Sequence, residues 1–262
     1  MTIPTLTGAV TFDGDSLQGA NIKIKDFVGA LTAPKRDISM FPIADENKSI
    51  VVSSSKKSRT VNLTFLVEGD TEAEKYEALE TLRSYMTDQY IGKELSIEHP
   101  VGTTRVYTAT LQDIRIQSNY NMHTEGTLIF VCSNPFALAA SQTTVTENTI
   151  TTSPKSIVTV IAGTAAPLDS VITIDVDTET DLTAIKVENT LNGDAITITR
   201  AFTASDQIII SYETKKVLVN GSEFDYTGII PKFEAGSNTW KITSTSTAHD
   251  IDAELIYTPT YV

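Results

Sequence analysis

The amino-acid sequence predicts a mainly β fold that holds one amphipathic helix. Many short segments alternate apolar and polar residues with a period of two, which is typical of strands with one buried face; they include residues 22–24, 61–67, 195–199 and 217–219. Turn-forming dipeptides separate such segments, among them Asp13-Gly14, Asn192-Gly193, Asn220-Gly221 and Gly236-Ser237. Only one segment has a helical period instead.

That segment, residues 71–88, is predicted to be an α-helix. Thr71 and Glu74 have the spacing of a capping box, in which each side chain bonds a backbone N–H at the start of the helix. Apolar residues then follow at spacings of three and four, which places them on one face of a helix; they are Tyr76, Leu79, Leu82 and Met86. We expect this helix to cover one face of a sheet.

The order of elements predicts two domains. Strands are expected after the helix at residues 94–98, 104–111, 114–120 and 126–132, which makes residues 1–137 an α+β domain. Residues 137–153 are rich in Ala, Ser and Thr and have no strong apolar period, so we place the boundary near residue 138. Residues 138–262 have no helix signal and are predicted to form a β-sandwich.

The chain is acidic, with a net charge of −13 over 262 residues. Residues 1–137 hold 13 Lys and Arg against 17 Asp and Glu, and residues 138–262 hold 7 against 16. Such a protein repels phosphate backbones, so it is not expected to grip nucleic acid. No stretch approaches the ~20 apolar residues of a membrane span, and the first residues lack the features of a secretory signal. We therefore expect synthesis and folding in a cytoplasm, without membrane insertion.

No motif predicts catalysis, a cofactor or a metal. His99, His123 and His249 lack metal-ligand spacing, and Cys132 ends an apolar run where a thiolate is disfavoured. The acidic run at residues 175–181 resembles a calcium loop but lacks its glycine and its closing glutamate, so we interpret it as an outward acidic face. The sequence thus predicts a protein that is not an enzyme.

Two features suggest binding surfaces. Residues 53–59 are the densest basic stretch, and Lys56, Lys57 and Arg59 could dock on an acidic neighbouring subunit; the alternative is a solvated loop between strands. Trp240 could stack on a sugar, together with Tyr226, Phe233 or Tyr257, although a single aromatic residue in a strand is more often part of a core.

In order, spacing and total length, segments of the chain resemble the distal tail (Dit) family of siphophage proteins. The segments of the first domain are residues 58–65 (SRTVNLTF), the helix, residues 107–111 (YTATL) and residues 130–136 (FVCSNPF). Those of the second are residues 210–221 (ISYETKKVLVNG) and 231–240 (PKFEAGSNTW), where Ala235 stands in place of a common proline. The resemblance implies a siphophage tail-type domain followed by a galectin-like sandwich.

The resemblance also implies a function. Family members form a ring, usually a hexamer, that joins the tail tube to the hub, fibre and receptor-binding proteins at the tail tip of the virion. DNA passes through the centre, for which an acidic channel would be suitable because it does not hold DNA. Two alternatives stay open, a carbohydrate-binding module that contacts a host surface glycan and a tail-tube protein. An enzyme that cleaves cell-wall sugars is the weakest.

Overall fold

A computed structural model of the chain describes residues 8–30, 36–42, 49–99, 103–246 and 248–262. The chain divides into two compact units, residues 1–140 with Val262 (unit 1) and residues 141–261 (unit 2). Strands dominate both units, so the predicted mainly β class is confirmed. Within the described ranges, no helix is both long and apolar enough to cross a membrane.

Unit 1 is built on one antiparallel sheet. Its described strands are β1 (Val10–Phe12), β2 (Asp15–Ser16), β3 (Ile22–Val28), β4 (Arg36–Pro42), β5 (Ser49–Lys56), β6 (Arg59–Glu68), β7 (Lys93–Glu98), β8 (Thr104–Asn119), β9 (His123–Cys132) and β10 (Ala137–Ala139). The sheet has the order β2-β1-β7-β8-β9-β6-β3, and β10 adds to β8. Within the described ranges, strands β4 and β5 pair with each other and with no further strand.

The predicted helix is present as α1 (Glu72–Ser84). The side chain of Thr71 accepts a hydrogen bond from the Glu74 N–H at 3.3 Å, and the Glu74 carboxylate accepts one from the Asp70 N–H at 3.0 Å. The box is thus closed one residue earlier than predicted. A short 3₁₀ turn at Asp88–Tyr90 follows the helix.

The buried face of α1 differs from the predicted stripe. Leu79 and Leu82 are buried as expected, but Tyr76 and Met86 are each 47% exposed. Lys75 is buried instead, because its ammonium group donates to the Asn119 side chain at 3.2 Å and to the Tyr120 carbonyl at 2.9 Å. Its methylene groups can therefore pack while its charge stays hydrogen-bonded.

An aromatic cluster joins the end of α1 to the sheet. The ring of Tyr85, which caps the helix, lies 5.7 Å from that of Phe12 in an edge-to-face arrangement. Phe12 in turn lies 5.0 Å from Phe130 on β9. The helix therefore covers one face of the sheet.

Strand β8 is longer than the sequence suggested. Two strands were expected at residues 104–111 and 114–120, and a single strand runs from Thr104 to Asn119. Its pairing with β9 shifts between Leu111 and Asp113 and again between Ile116 and Ser118. A bulge changes which face the following residues occupy, so each shift interrupts the sequence period without ending the strand.

Unit 2 is a sandwich of two antiparallel sheets. Its strands are β11 (Thr143–Ile150), β12 (Lys155–Ile161), β13 (Val171–Thr180), β14 (Ala184–Asn189), β15 (Ala195–Thr199), β16 (Gln207–Ser211), β17 (Lys216–Val219), β18 (Ser222–Glu223), β19 (Thr227–Gly228), β20 (Gly236–Ser244), β21 (Ala248–Tyr257) and β22 (Thr260–Tyr261). One sheet has the order β11-β21-β13-β16-β17-β18 and the other β12-β20-β14-β15-β19. Apolar residues of both sheets share one core.

Three local expectations from the sequence meet different outcomes between residue 137 and residue 237. Residues 137–153 contain β10 and β11; β11 gives no apolar period because Ile150 is its one fully buried residue. Asn220 and Gly221 have φ of 51° and 77° and form the predicted hairpin turn between β17 and β18. The turn predicted at Gly236-Ser237 is instead the start of β20.

Candidate functional site

Trp240, the predicted sugar-stacking residue, lies in the core of unit 2. It is 0% exposed, its ring meets that of Phe233 edge to face at 6.4 Å, and its indole N–H donates to the Thr159 hydroxyl at 3.1 Å. Phe233 and Tyr257 are each 1% exposed. Since a sugar needs an open ring face, Trp240 cannot stack on one, and the alternative of a core residue agrees with the structure.

The basic stretch is not one exposed patch. It is divided between the end of β5 and the start of β6, and not carried on a loop between shorter strands. The side chain of Lys56 lies outside the described residues, Lys57 is exposed, and Arg59 is 3% exposed. A buried guanidinium offers no surface to a neighbouring subunit, so the interface role is wrong for Arg59 in this conformation. For Lys56 and Lys57 it stays a prediction.

Arg59 is buried because β6 alternates. It shares the core face with Val61 and Leu63, and its guanidinium lies 5.7 Å from the centre of the Tyr107 ring. All three guanidinium nitrogens are buried without a hydrogen-bond partner in the part of the chain that the structure describes. Burial raises the pKa of the neighbouring Cys132 thiol to about 11, although the charge of Arg59 acts in the opposite direction. Cys132 is thus a protonated core residue, not a nucleophile.

His99 and Arg105 lie on the same side of unit 1. The Tyr107 hydroxyl donates to the Ala30 carbonyl at 2.9 Å, and Arg105 donates to that carbonyl at 3.4 Å. Burial lowers the pKa of His99, and the positive charge of Arg105 lowers it further. His99 is 2% exposed, and its Nε2 has no hydrogen-bond partner within the described residues. The lowered pKa favours the neutral form of His99.

The acidic run faces outward at Asp177, and the fold brings distant acids to it. Carboxylate oxygens of Asp177, Asp250 and Asp252 lie within 4.8 Å of one another. Desolvation raises the pKa of Asp177, and Asp252, Asp250 and Asp175 add to the rise. Because β13 and β21 are adjacent but far apart in sequence, no local motif could have revealed this group. An exposed acidic cluster of this kind does not by itself make a metal site.

A groove in unit 2 brings two tyrosines together. It has a volume of about 340 Å³ and is lined by Asp194, Tyr212, Lys215, Tyr226, Gly228, Ile229, Ile230 and Lys232. The Lys215 ammonium lies 2.9 Å from the centre of the Tyr212 ring, and the Tyr226 hydroxyl donates to the Lys215 carbonyl at 3.1 Å. Both rings are partly exposed. Of the aromatic residues proposed from sequence for a sugar platform, Tyr226 alone reaches such a groove.

Comparison with known proteins agrees with this architecture. Residues 163–261, most of unit 2, match the family described as siphovirus-type tail component, C-terminal domain. No curated protein has a matching sequence. The solved structure of SPP1 Dit is similar over 98% of this chain and 100% of that chain, with 14% identity and a TM-score of 0.72. Its title calls that protein a paradigm of the hub adsorption apparatus in phages that infect Gram-positive bacteria.

A chain of the phage P2 baseplate, in its activated conformation with Ca, is less similar. It has 9% identity and a TM-score of 0.42, over 96% of this chain and 97% of that one. The likeness to SPP1 Dit supports the overall fold of the chain. The family match relates the second unit to the C-terminal domain of siphovirus-type tail components.

Proposed function

We propose that this chain, which belongs through residues 163–261 to the Dit family of siphovirus-type tail components, forms a ring-shaped hub at the tail tip. The relationship predicted from sequence is confirmed by that match, and a structural role in the phage tail or baseplate follows from it. In the proposed hub, unit 1 makes the ring, which joins the tail tube to the tip and receptor-binding proteins and lets DNA pass.

The observation that carries the proposal is the two-unit fold, which is similar to that of SPP1 Dit over 98% of this chain and 100% of that one. In a ring, each subunit presents one surface to the next, and a rotation that closes leaves no free end. We further propose that the ring is a hexamer, that the protein resides at the virion tail tip, and that it has no enzymatic activity.

The mass of the full chain in solution tests the ring. Light scattering is expected to give a discrete species of about six subunits, and negative-stain images are expected to show single rings. Long filaments would instead identify a tail-tube protein. A chain that remains a monomer both alone and when mixed with its tail-tube protein would contradict the hub.

Lys57, whose side chain is exposed, provides a variant of the basic stretch. Lys57→Ala is expected to slow ring assembly, because charges at the rim of an interface act mainly on the rate of association. Lys216→Ala is the matched control, since it removes one exposed lysine from unit 2. Equal assembly rates for both variants would remove Lys57 from the interface.

The tyrosine groove supports one second function, in which unit 2 binds a host surface glycan. A groove of this size with partly exposed aromatic rings is the usual form of a small-ligand site. A glycan array with the full chain is expected to give hits that Tyr226→Ala abolishes and Trp240→Phe keeps. An array without hits would reject this function and leave the hub untouched.

A further inference from the structure

The tyrosine groove of unit 2 contains a basic residue that lacks a carboxylate partner. Residues 138–262 hold 7 Lys and Arg against 16 Asp and Glu. Five of these basic side chains form ion pairs, which are Lys155 with Glu147, Lys186 with Glu188, Arg200 with Asp206, Lys216 with Glu223 and Lys232 with Glu234. The pKa of Glu188 is lowered mainly by Lys186 and further by Lys241, so Lys241 also acts on an acid. Lys215 is the remaining one, and it forms no ion pair with any described residue.

The ammonium group of Lys215 faces an aromatic ring instead. It lies 2.9 Å from the centre of the Tyr212 ring, whose negative face attracts a cation. The Lys215 side chain is exposed. A ring attracts the charge but does not neutralise it, so the ammonium group remains able to donate hydrogen bonds to an anion.

The backbone of Lys215 has a conformation that lysine rarely adopts. Its φ of 57° lies in the left-handed region, which glycine and asparagine occupy with less strain. The Tyr226 hydroxyl donates to the Lys215 carbonyl at 3.1 Å, so a residue of the groove helps to hold this conformation. Strained residues that their surroundings keep in place cluster at functional sites. The strain therefore indicates a role for the lysine side chain that glycine could not fill.

The other charged side chains of the groove are already engaged. The Asp194 carboxylate accepts the Lys232 N–H at 3.4 Å, and the Lys232 ammonium pairs with Glu234 at 2.6 Å. At ~0.15 M salt, exposed charges more than ~8 Å apart are largely screened, so acidic residues elsewhere in the unit have little effect on a ligand here. Lys215 is thus the charge that the groove offers to a ligand.

The groove also has apolar surface and a fixed shape. Ile229 is 66% exposed, and the ring of Tyr226 is partly exposed. The Ile229 N–H donates to the Ala195 carbonyl at 2.8 Å, which fixes this side of the groove to β15. The volume of about 340 Å³ is at the lower end of small-ligand sites. An aromatic ring and an aliphatic side chain beside an ammonium group match a ligand that has both apolar C–H faces and an anionic group.

We propose that the groove binds an acidic sugar, whose carboxylate or phosphate oxygens accept hydrogen bonds from the Lys215 ammonium while the sugar ring packs on Tyr226. The proposal rests on the glycan-binding function proposed above for unit 2, and it names the class of glycan. A neutral hydroxyl leaves the charge of Lys215 uncompensated, whereas a carboxylate or phosphate compensates it. The groove therefore prefers an acidic sugar to its neutral counterpart.

A glycan array probed with the full chain tests this preference. The array carries glycans that end in glucuronic or galacturonic acid, the same glycans that end in glucose or galactose, and the same glycans that end in a hexose phosphate. The acidic glycans are expected to bind about 10-fold more tightly than their neutral counterparts. The carboxylate and phosphate sets show which anion the groove takes.

The array separates this proposal from the function on which it rests. Neutral glycans that bind as tightly as the acidic ones would overturn the preference and leave glycan binding intact. An array without any hit would overturn the preference together with glycan binding, and it would leave the hub standing.

Substitution of Lys215 tests the residue itself. Lys215→Gly removes the ammonium group and relieves the positive φ, so the melting temperature is expected to stay or rise while the preference for acidic glycans disappears. Lys215→Arg keeps the charge and is expected to keep the preference. Lys216→Gln is the matched control, because it removes a neighbouring charge that is already paired with Glu223. An unchanged preference in Lys215→Gly would overturn the proposal.

An oligoglutamate peptide on the same array distinguishes a sugar ligand from an acidic protein segment. The peptide is expected not to bind, because it has no sugar ring to pack on Tyr226. A peptide that binds in place of the acidic glycans would overturn the proposal.

Discussion

The two units bury polar groups in different ways. In unit 2, the Asn189 side chain, 0% exposed, donates to the Lys232 carbonyl at 2.7 Å and to Asn238 at 3.1 Å. Asn238 in turn donates to the Glu234 carbonyl at 2.7 Å. In unit 1, Arg59 and His99 are similarly buried, yet three nitrogens of Arg59 and one of His99 have no hydrogen-bond partner among the described residues.

This difference matters for the free energy of folding, because buried polar groups are costly when they lack hydrogen-bond partners. Buried amides that satisfy one another fix a single packing at little cost. A buried charge without a partner costs several kcal/mol unless an opposite charge arrives (about 3–5 kcal/mol when one partner of a buried pair is removed). Among the described residues, unit 1 therefore buries a cation without a partner, whereas in unit 2 one oxygen of the half-buried Asp250 lacks one. Unit 1 is also the unit proposed to assemble.

The largest expected effect is in the core of unit 2. Trp240→Ala is expected to lower the free energy of unfolding by about 3–5 kcal/mol, because it leaves a large cavity and an unpaired Thr159 hydroxyl. Trp240→Phe is the matched control and should lose less, since most of the volume is kept. Urea denaturation followed by circular dichroism measures both. A loss below about 1 kcal/mol for Trp240→Ala would mean that the residue is not in a packed core.

The next largest effect is expected at Lys75, the buried cation of unit 1 that has hydrogen-bond partners. Lys75→Met keeps the length of the side chain but leaves the Tyr120 carbonyl without its side-chain donor, and the Asn119 side-chain oxygen keeps only the hydrogen bond from the Thr124 hydroxyl at 2.8 Å. A loss of about 1–3 kcal/mol in the free energy of unfolding is expected. The same denaturation measurement applies, and an unchanged midpoint would show that the Tyr120 carbonyl finds water instead.

Substitution of Arg59, the buried cation of unit 1 without such partners, is expected to change the stability in the opposite direction. Arg59→Met removes a buried charge that has no hydrogen-bond partner in the described residues, while it keeps an apolar contact with Tyr107. A gain of about 1 kcal/mol is expected for the isolated chain, because an apolar residue of similar shape avoids the desolvation cost. A loss as large as that of Lys75→Met would show that a counter-charge is already present and would cancel the contrast between the units.

These residues also show how far the sequence could be interpreted. The strands, the helix and its cap follow from local periods, and the core position of Trp240 was among the alternatives. Arg59 was assigned to a surface patch from its neighbours Lys56 and Lys57, although its spacing of two from Val61 places it on the buried face of β6. Lys75 likewise lies four residues before Leu79, on the buried stripe, but lysine is rarely assigned to a core. In both cases the spacing from apolar neighbours predicts burial, whereas the charged residue type argues against it.

Side chains that are brought together by strand pairing could not be predicted from any local sequence pattern. Asp177 meets Asp250 and Asp252 only because β13 and β21 pair, and the tyrosine groove needs residues from 194 to 232. Strand pairing between distant segments is set by the whole fold and not by neighbouring residues.

The smallest expected effect is a pH dependence that belongs to unit 1. Burial, and secondarily the charge of Arg105, lowers the pKa of His99 below its ordinary value. Below pH ~6.5 the unfolded chain therefore binds a proton that the folded chain does not, so stability falls as the pH decreases from 7 to 5. His99→Phe, which can keep the ring contact with Phe27, is expected to flatten this decrease in melting temperature. His123→Phe is the control, because that ring is exposed. Equal slopes for wild type and His99→Phe would show that the buried histidine does not contribute to the cost carried by unit 1.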